Sequence, residues 1–334
     1  EIIKEISEAA RISEQGSVEI NRSGALVIQL NSYRISIARP PFSDGLEVTI
    51  VRPTVKLKLE DYKLSEKLTE RLKEKAEGIL IAGPPGSGKT TFATSLAEFY
   101  RSLGKVVKTL ESPRDMQVSD EITQYAPLEG DFEKTAEILL LVRPDYTIFD
   151  EVRKTKDFEI FADLRLAGVG MVGVVHASNP VDAIQRFISR LDIGVLPHVV
   201  DTVIFIKDGE VKKVLVLELK VKVPTGMTQE DLARPVVEVR DFETNKLEYE
   251  IYTYGEENVV VPIEEEKEDT LTKLAKERIL MEFKKYDHQA KILELTKTFA
   301  RVEVDNRVLG RVIGKNGENI ERIEKMLGIR IELI

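Results

Sequence analysis

Apolar residues recur along the chain in two rhythms, one near the helical repeat and one strictly alternating, and the changes between them divide it into parts. Residues 1–15 carry apolar side chains at helical spacing (Ile2, Ile3, Ile6, Ala9, Ala10). Four alternating runs follow at 17–21, 25–31, 33–39 and 46–52, separated by Gly24, Asn31-Ser32, Pro40-Pro41 and Asp44-Gly45. That spacing predicts an antiparallel meander. A helical connection over 65–77 then leads into a strand–helix rhythm. Strands are predicted at 79–82, 106–110, 146–150 and 171–176, and helices at 89–103, 132–141, 156–167 and 180–191, the signature of a mostly parallel α/β sheet. After Asp201 the texture changes to hairpins: a strand over 203–207, a turn at Asp208-Gly209, a long strand over 211–223, then strands at 236–241 and 247–254. Residues 255–269, ending in Glu264-Glu265-Glu266-Lys267-Glu268-Asp269, read as an acidic, solvated linker. Beyond lie a helix over 270–285, strands over 291–297 and 300–305, a helical hairpin and a last strand over 329–334. The expected division is a β-rich domain at 1–64, an α/β core with C-terminal hairpins at 65–254, the linker at 255–269 and an α+β domain at 270–334.

Residues 78–91 carry the clearest chemistry. An apolar strand (Ile79, Leu80, Ile81) runs into Gly83-Pro84-Pro85-Gly86-Ser87-Gly88-Lys89-Thr90-Thr91, and a helix-forming run follows. This is the phosphate-loop pattern in the strand–loop–helix setting it requires. Glycines let backbone N–H groups close around β- and γ-phosphates, and the helix N-terminus adds partial positive charge. Lys89 reaches the same oxygens, and the Thr90 hydroxyl ligates Mg²⁺. ATP with Mg²⁺ is the expected ligand.

Cleaving ATP needs an acidic residue at the end of a neighbouring strand. Tyr146-Thr147-Ile148-Phe149-Asp150-Glu151 supplies two: Asp150 to hold Mg²⁺ and Glu151 to position or activate the attacking water. Two further strand ends converge on the edge where open α/β sheets bind ligands. Glu111, in Thr109-Leu110-Glu111-Ser112-Pro113, is a second candidate for orienting water. His176, ending Gly173-Val174-Val175-His176, is placed to sense the γ-phosphate by hydrogen bonding. Position along the chain leaves the choice between Glu111 and Glu151 open.

These segments together resemble the successive boxes of the secretion and retraction ATPases, the PilT/type II–type IV secretion superfamily: Thr109–Pro113, Asp150-Glu151-Val152-Arg153, Val174-Val175-His176-Ala177 and Ala183-Ile184-Gln185-Arg186. The resemblance spans roughly 17–208 and implies a RecA-like ATPase core working as a hexameric motor. Upstream, Tyr33-Arg34-Ile35-Ser36 and Thr49-Ile50-Val51-Arg52 are similar to the two arginine-bearing strands of that family's N-terminal domain. By that resemblance Arg34 and Arg52, with Arg39 behind them, are the candidates to reach the triphosphate, where a guanidinium offsets charge building on the transferring phosphoryl group.

A second signature lies near the C-terminus. Val312-Ile313-Gly314-Lys315-Asn316-Gly317-Glu318-Asn319-Ile320, with Ile323 and Leu327-Gly328-Ile329, closely resembles the KH module. Its Gly314-Lys315-Asn316-Gly317 loop lets a nucleic-acid backbone approach closely, with Lys315 adding charge and Arg311, Arg322 and Arg330 flanking. The order helix, strand, strand, helix, helix, strand resembles the type II KH arrangement. A motor of this class followed by a KH module resembles the archaeal PIN-domain ATPases with a C-terminal KH domain (the PINA family). Membership implies a homohexameric ring acting on DNA, promoting Holliday-junction branch migration alongside a junction resolvase and a helicase. The family's N-terminal PIN domain has no counterpart here. The chain opens on Glu1 rather than Met and shows no leading signal peptide, so it reads as a piece of a longer protein. The expected fold class is therefore α/β: a RecA-like phosphate-loop ATPase core, a small N-terminal β-rich domain and a C-terminal KH-like α+β domain. A secretion or pilus motor acting on protein, and an ATP-switched RNA-binding factor, are the alternatives.

Composition narrows the setting. The formal charge is −9 over 334 residues, so the whole surface is not a nucleic-acid footprint. Residues 269–334 hold 14 Lys/Arg against 11 Asp/Glu, a net of +3 that leaves −12 for 1–268, so any nucleic-acid grip is local. The lack of cysteine excludes disulfides and thiolate metal sites and fits a cytoplasmic setting. His176, His198 and His288 are too scattered for a histidine zinc site. No apolar stretch is long enough to span or insert into a bilayer. The charged fraction of 32%, rich in Glu and Lys, resembles that of thermophile proteins.

Overall fold

The computed structural model describes residues 2–13, 16–31, 33–52, 56–114, 116–227, 232–263, 270–288, 290–296 and 298–333, excepting the side chains of 270–273, Asn306 and Asn316. The chain forms two compact units, Glu1–Ile263 and Glu264–Ile334.

The first unit opens with helix α1 (Ile2–Ile12) and strands β1 (Gly16–Arg22), β2 (Ala25–Leu30), β3 (Tyr33–Ala38) and β4 (Glu47–Val51), an antiparallel sheet in that order. The alternation read from the sequence is the cause. Ile28, Ile35 and Ile37 meet Ala10 of α1 in a small core of their own. After α2 (Glu66–Glu74) come β5 (Gly78–Gly83), α3 (Lys89–Ser102), β6 (Val107–Leu110), β7 (Thr123–Tyr125), α4 (Phe132–Val142), β8 (Tyr146–Phe149), α5 (Thr155–Leu166), β9 (Gly170–His176), α6 (Pro180–Ile188) and α7 (Leu196–Val199). Strands β10 (Thr202–Lys207), β11 (Glu210–Lys222), β12 (Arg234–Asp241), β13 (Leu247–Tyr254) and β14 (Glu257–Pro262) complete it. The resulting sheet has ten strands in the order β14-β13-β12-β11-β10-β5-β9-β8-β6-β7. From β10 to β7 the pairs are parallel, and from β10 to β14 they are antiparallel.

β5 sits inside this sheet, buried on both faces, so it reads as a continuous apolar run rather than an alternating one. Its side chains still split by parity. Leu80 and Ala82 join the core packed with Phe149, Phe161 and Phe187, whereas Ile79 and Ile81 join the core with Phe92, Leu96 and Tyr100. At Gly173 of β9 an added Cβ would lie 2.9 Å from the Phe161 ring, so the glycine permits α5 to close on the sheet.

Two differences from the sequence reading stand out. Residues 257–262, assigned to the acidic linker, form β14: Val259, Val260 and Val261 pair with Tyr252, Ile251 and Glu250 across a turn at Gly255, whose φ is +65°. The surrounding glutamates hid this short apolar run. The remainder of that linker, 264–269, lies outside the described residues. β7, only three residues long, is too short to show a period.

The second unit consists of α8 (Thr270–Phe283), β15 (Lys291–Leu295), β16 (Phe299–Glu303), α9 (Asn306–Ile313), α10 (Glu318–Leu327) and β17 (Arg330–Leu333). β16 pairs antiparallel with β15 and parallel with β17. Ile279, Phe283, Ala300, Val302, Val312 and Ile323 form its core. No helix among the described residues is long and apolar enough to cross a membrane.

Candidate nucleotide site and nucleic-acid loop

The loop between β5 and α3 needs backbone that side chains resist. Gly86 and Gly88 adopt φ of +72° and +92°, in the left-handed region. Gly83 is constrained differently: a Cβ there would stand 2.2 Å from the Ile206 carbonyl of β10 and 2.7 Å from Ser87 Oγ. Gly83→Ala is therefore expected to lower stability by about 1–3 kcal/mol, read as a lower denaturant midpoint. A midpoint equal to wild type would contradict the close approach of β10.

A cavity of about 1020 Å³ opens above this loop. Gly86, Gly88, Lys89, Thr90 and Thr91 line it from the loop and α3, Asp150 and Glu151 from the end of β8, His176 from the end of β9, and Arg34 from β3. Gly83, Pro85 and Ser87, also expected to hold the nucleotide, do not line it: Gly83 and Ser87 are buried and Pro85 is exposed. Six of the residues expected to act chemically (Lys89, Thr90, Asp150, Glu151, His176 and Arg34) are therefore brought to one place, at the carboxyl ends of the parallel strands.

Lys89 is 5% exposed, and its Nζ donates to the Pro84 carbonyl at 2.7 Å. Burial pushes the ammonium below its ordinary pKa, while the Asp150 carboxylate favours the charged form. Thr90 Oγ1 donates to Asp150 Oδ1 at 3.0 Å, and Asp150 is 8% exposed. A hydroxyl and a carboxylate side by side are hard oxygen donors, the set that suits Mg²⁺ when phosphates supply further ligands. Ser87 Oγ is buried without a hydrogen-bond partner among the described residues, which suits a loop built to wrap an anion. The donor set and the cradle thus fit Mg²⁺ and a triphosphate.

Glu151 has φ of +62°, unusual for a side chain of its size and a mark of a position over-determined by its surroundings. Its carboxylate pairs with Arg153 and lies 3.6 Å from His176 Nε2. Burial, then Lys89, Arg153 and Arg186, hold the His176 pKa below its ordinary value, so the imidazole is neutral near pH 7. Arg153 belonged to the Asp150–Arg153 segment read from sequence, but no role was expected of it. Its pairing with Glu151 depends on the turn after β8, which periodicity does not show.

Three residues expected to act at the triphosphate do not line the cavity. Glu111 is fully buried and does not line the cavity. It accepts from Thr109 Oγ1 at 2.5 Å, the Met116 N–H at 2.9 Å and Gln124 Nε2 at 2.9 Å, and so fixes the loop after β6. Arg52 is exposed, its guanidinium 5.4 Å from the centre of the Tyr33 ring. Cross-strand partners share a face, and Arg34 pairs with Val51, so Arg52 belongs to the opposite face. Arg39 is also exposed, at the end of β3.

In the second unit, Gly314 and Gly317 bracket the loop between α9 and α10 with φ of +77° and +86°. An added Cβ at Gly314 would stand 2.6 Å from Asn319 Cβ. Asn319 ties the loop together, donating to the Arg311 carbonyl at 2.9 Å and accepting from Arg322 at 3.0 Å. Lys315, Arg311, Arg322 and Arg330 are exposed; the Asn316 side chain lies outside the described atoms.

Comparison with known proteins shows the family. The model of the type II/IV secretion system protein family matches residues 11–206, and that of the KH domain matches 299–334. The KH and PIN-domain containing protein MJ1533 of Methanocaldococcus jannaschii is 62% identical over 328 residues, covering 95% of this chain and 50% of that protein. The Holliday junction branch migration ATPase PINA of Sulfolobus acidocaldarius is 56% identical over 262 residues, covering 78% of this chain and 51% of that protein. The chain thus spans about half the length of these relatives. The structure of the Legionella pneumophila ATPase DotB aligns with a TM-score of 0.44 at 19% identity, covering 68% of this chain and 62% of that one.

Proposed function

Since the chain belongs to the type II/IV secretion system protein family and carries a C-terminal KH domain, we propose that it is a ring-forming, Mg²⁺-dependent ATPase that remodels branched DNA. The observation that carries the reading is the meeting of Lys89, Thr90, Asp150, Glu151, His176 and Arg34 on one cavity. The loop N–H groups and Lys89 bind the β- and γ-phosphates. Thr90 and Asp150 would hold Mg²⁺, which supplies charge neutralisation on the phosphate oxygens. Glu151 orients a water whose oxygen attacks the γ-phosphorus and takes up its proton. The bond from that phosphorus to the bridging oxygen breaks, and ADP and phosphate leave. Arg34 offsets the charge on the transferring group, and His176, neutral and beside Glu151, senses the γ-phosphate by hydrogen bonding.

Ring formation is supported by Arg52, which faces away from its own cavity and can meet a triphosphate only on a neighbouring copy. Branched DNA as the substrate is supported by the 56% identity to a relative named as a Holliday junction branch migration ATPase. A junction resolvase and a helicase, which the resemblance to the PIN-domain ATPases implies, are the proposed partners. A second reading, an ATP-switched RNA-binding factor, draws on the KH loop, since such loops contact single strands.

Anisotropy of labelled four-way junction, duplex, single-stranded DNA and single-stranded RNA at fixed salt separates the readings. Junction DNA is expected to compete best, and an advantage for RNA would favour the second reading. Replacing Lys315 and Arg311 together by alanine should weaken binding across sequences and reduce the salt slope by about 2, roughly 1 for each phosphate that is no longer neutralised. An unchanged slope would place the nucleic acid away from the KH loop.

A further inference from the structure

Strand β1 carries a bulge at Glu19. Val18 faces Ile28 and Ile20 faces Val27, which leaves Glu19 as the extra residue between them. Bulges of this kind re-aim a side chain. Here the Glu19 carboxylate meets the loop that follows β6. Arg114 donates to Glu19 Oε1 from Nε at 3.2 Å and from a terminal nitrogen at 3.0 Å, and its backbone N–H reaches Oε2 at 3.4 Å. The Ser17 hydroxyl also donates to Glu19. The Glu19 side chain is 4% exposed, so removing its partner leaves a buried charge uncompensated.

The loop that bears Arg114 also lines the nucleotide cavity, through Pro113 and Met116. Its base is held to the core by Glu111, which accepts the Met116 N–H. The loop is thus tied to the core sheet at one point and to the N-terminal sheet at another. On the N-terminal side, Ser17, Gln29, Arg34 and Val51 are register partners in one row across β1 to β4. A hydrogen-bonded row of this kind moves as one piece, and Arg34 and Val51 at its far end line the cavity.

We propose that Glu19 and Arg114 form a positioning latch that holds the N-terminal sheet against the nucleotide cavity and so presents the Arg34 guanidinium to the transferring phosphate. The latch rests on the ATPase reading above. Neither latch residue touches the nucleotide; both act through Arg34.

Steady-state ATP hydrolysis by the full chain tests it, using Glu19→Gln, Arg34→Ala and the double variant, with thermal midpoints recorded. Glu19→Gln should lower kcat on the order of tenfold with a smaller change in KM, and the double variant should match Arg34→Ala alone, as coupled residues do. Exchanging the charges, Glu19→Arg with Arg114→Glu, should recover most of the loss caused by either reversal singly. Three results would overturn the latch: wild-type kcat in Glu19→Gln, wild-type kcat in Arg34→Ala, or costs that multiply in the double variant. Lys89→Ala, run in parallel, keeps the two ideas apart. Turnover surviving there removes this cavity as the place of ATP cleavage, whereas its loss beside a silent Glu19→Gln removes the latch alone.

Discussion

Replacing Lys89 by alanine should lower ATP turnover about 10³-fold, the scale of removing one preorganised charge or donor from a developing anion. The expectation follows from burial as much as from motif. Lys89 is 5% exposed, and water cannot readily take over the position of its ammonium. Burial disfavours the charged lysine, whereas a triphosphate brought to the loop favours it, an attraction that the low local dielectric strengthens. Gly83, Gly86 and Gly88 set the course of the loop, to which Lys89 adds a single bond at the Pro84 carbonyl. The variant should therefore unfold near the wild-type temperature. Turnover within a few-fold of wild type would mean that this loop is not where ATP is cleaved.

The second large effect is expected at Glu151. Glutamine keeps the shape but removes the proton acceptor, and kcat should fall about 10²- to 10⁴-fold, the usual reach of a general base. ATP affinity should persist, because Lys89, Thr90 and Asp150 are untouched. The variant should accordingly retain ATP after rapid desalting where the wild type retains ADP. Loss of affinity together with kcat would instead assign Glu151 to nucleotide binding rather than to water.

Much of this site was legible in the sequence because its chemistry needs particular residues at fixed spacing. A strand must deliver the chain to the loop, glycines must permit positive φ, and a lysine and a hydroxyl must open the helix. Asp150, Glu151 and His176 were legible for a related reason, since parallel strands place their carboxyl ends along one edge. What the sequence did not show is which way each strand end turns. Glu111 and Glu151 both follow apolar strands, yet the first points into a network with Thr109 and Gln124 and the second reaches the cavity. That distinction depends on the turn after each strand: φ of +62° at Glu151 re-aims its side chain, whereas Glu111 continues into backbone pairing with Tyr125.

The arginines teach the same lesson by parity. Arg34 and Arg52 looked equivalent as strand arginines, but register pairs Arg34 with Val51, so the two guanidinia leave opposite faces. A shift of a single residue in that pairing would have put both on one face. The bulge at Glu19 was likewise invisible, because it depends on how β1 and β2 fit together rather than on either run alone. In the second unit the glycine loop was readable, whereas Asn319, which organises it, became evident only from its hydrogen bonds with Arg311 and Arg322.

The most direct measurement is migration of a synthetic four-way junction by the full chain with Mg²⁺ and ATP, compared with Lys89→Ala at equal junction occupancy. The account predicts that wild type resolves the junction into duplex products only while ATP is being cleaved, and that the variant binds the junction but leaves it intact. Equal migration by both proteins, or a wild type that cleaves ATP briskly while the bound junction never moves, would contradict it.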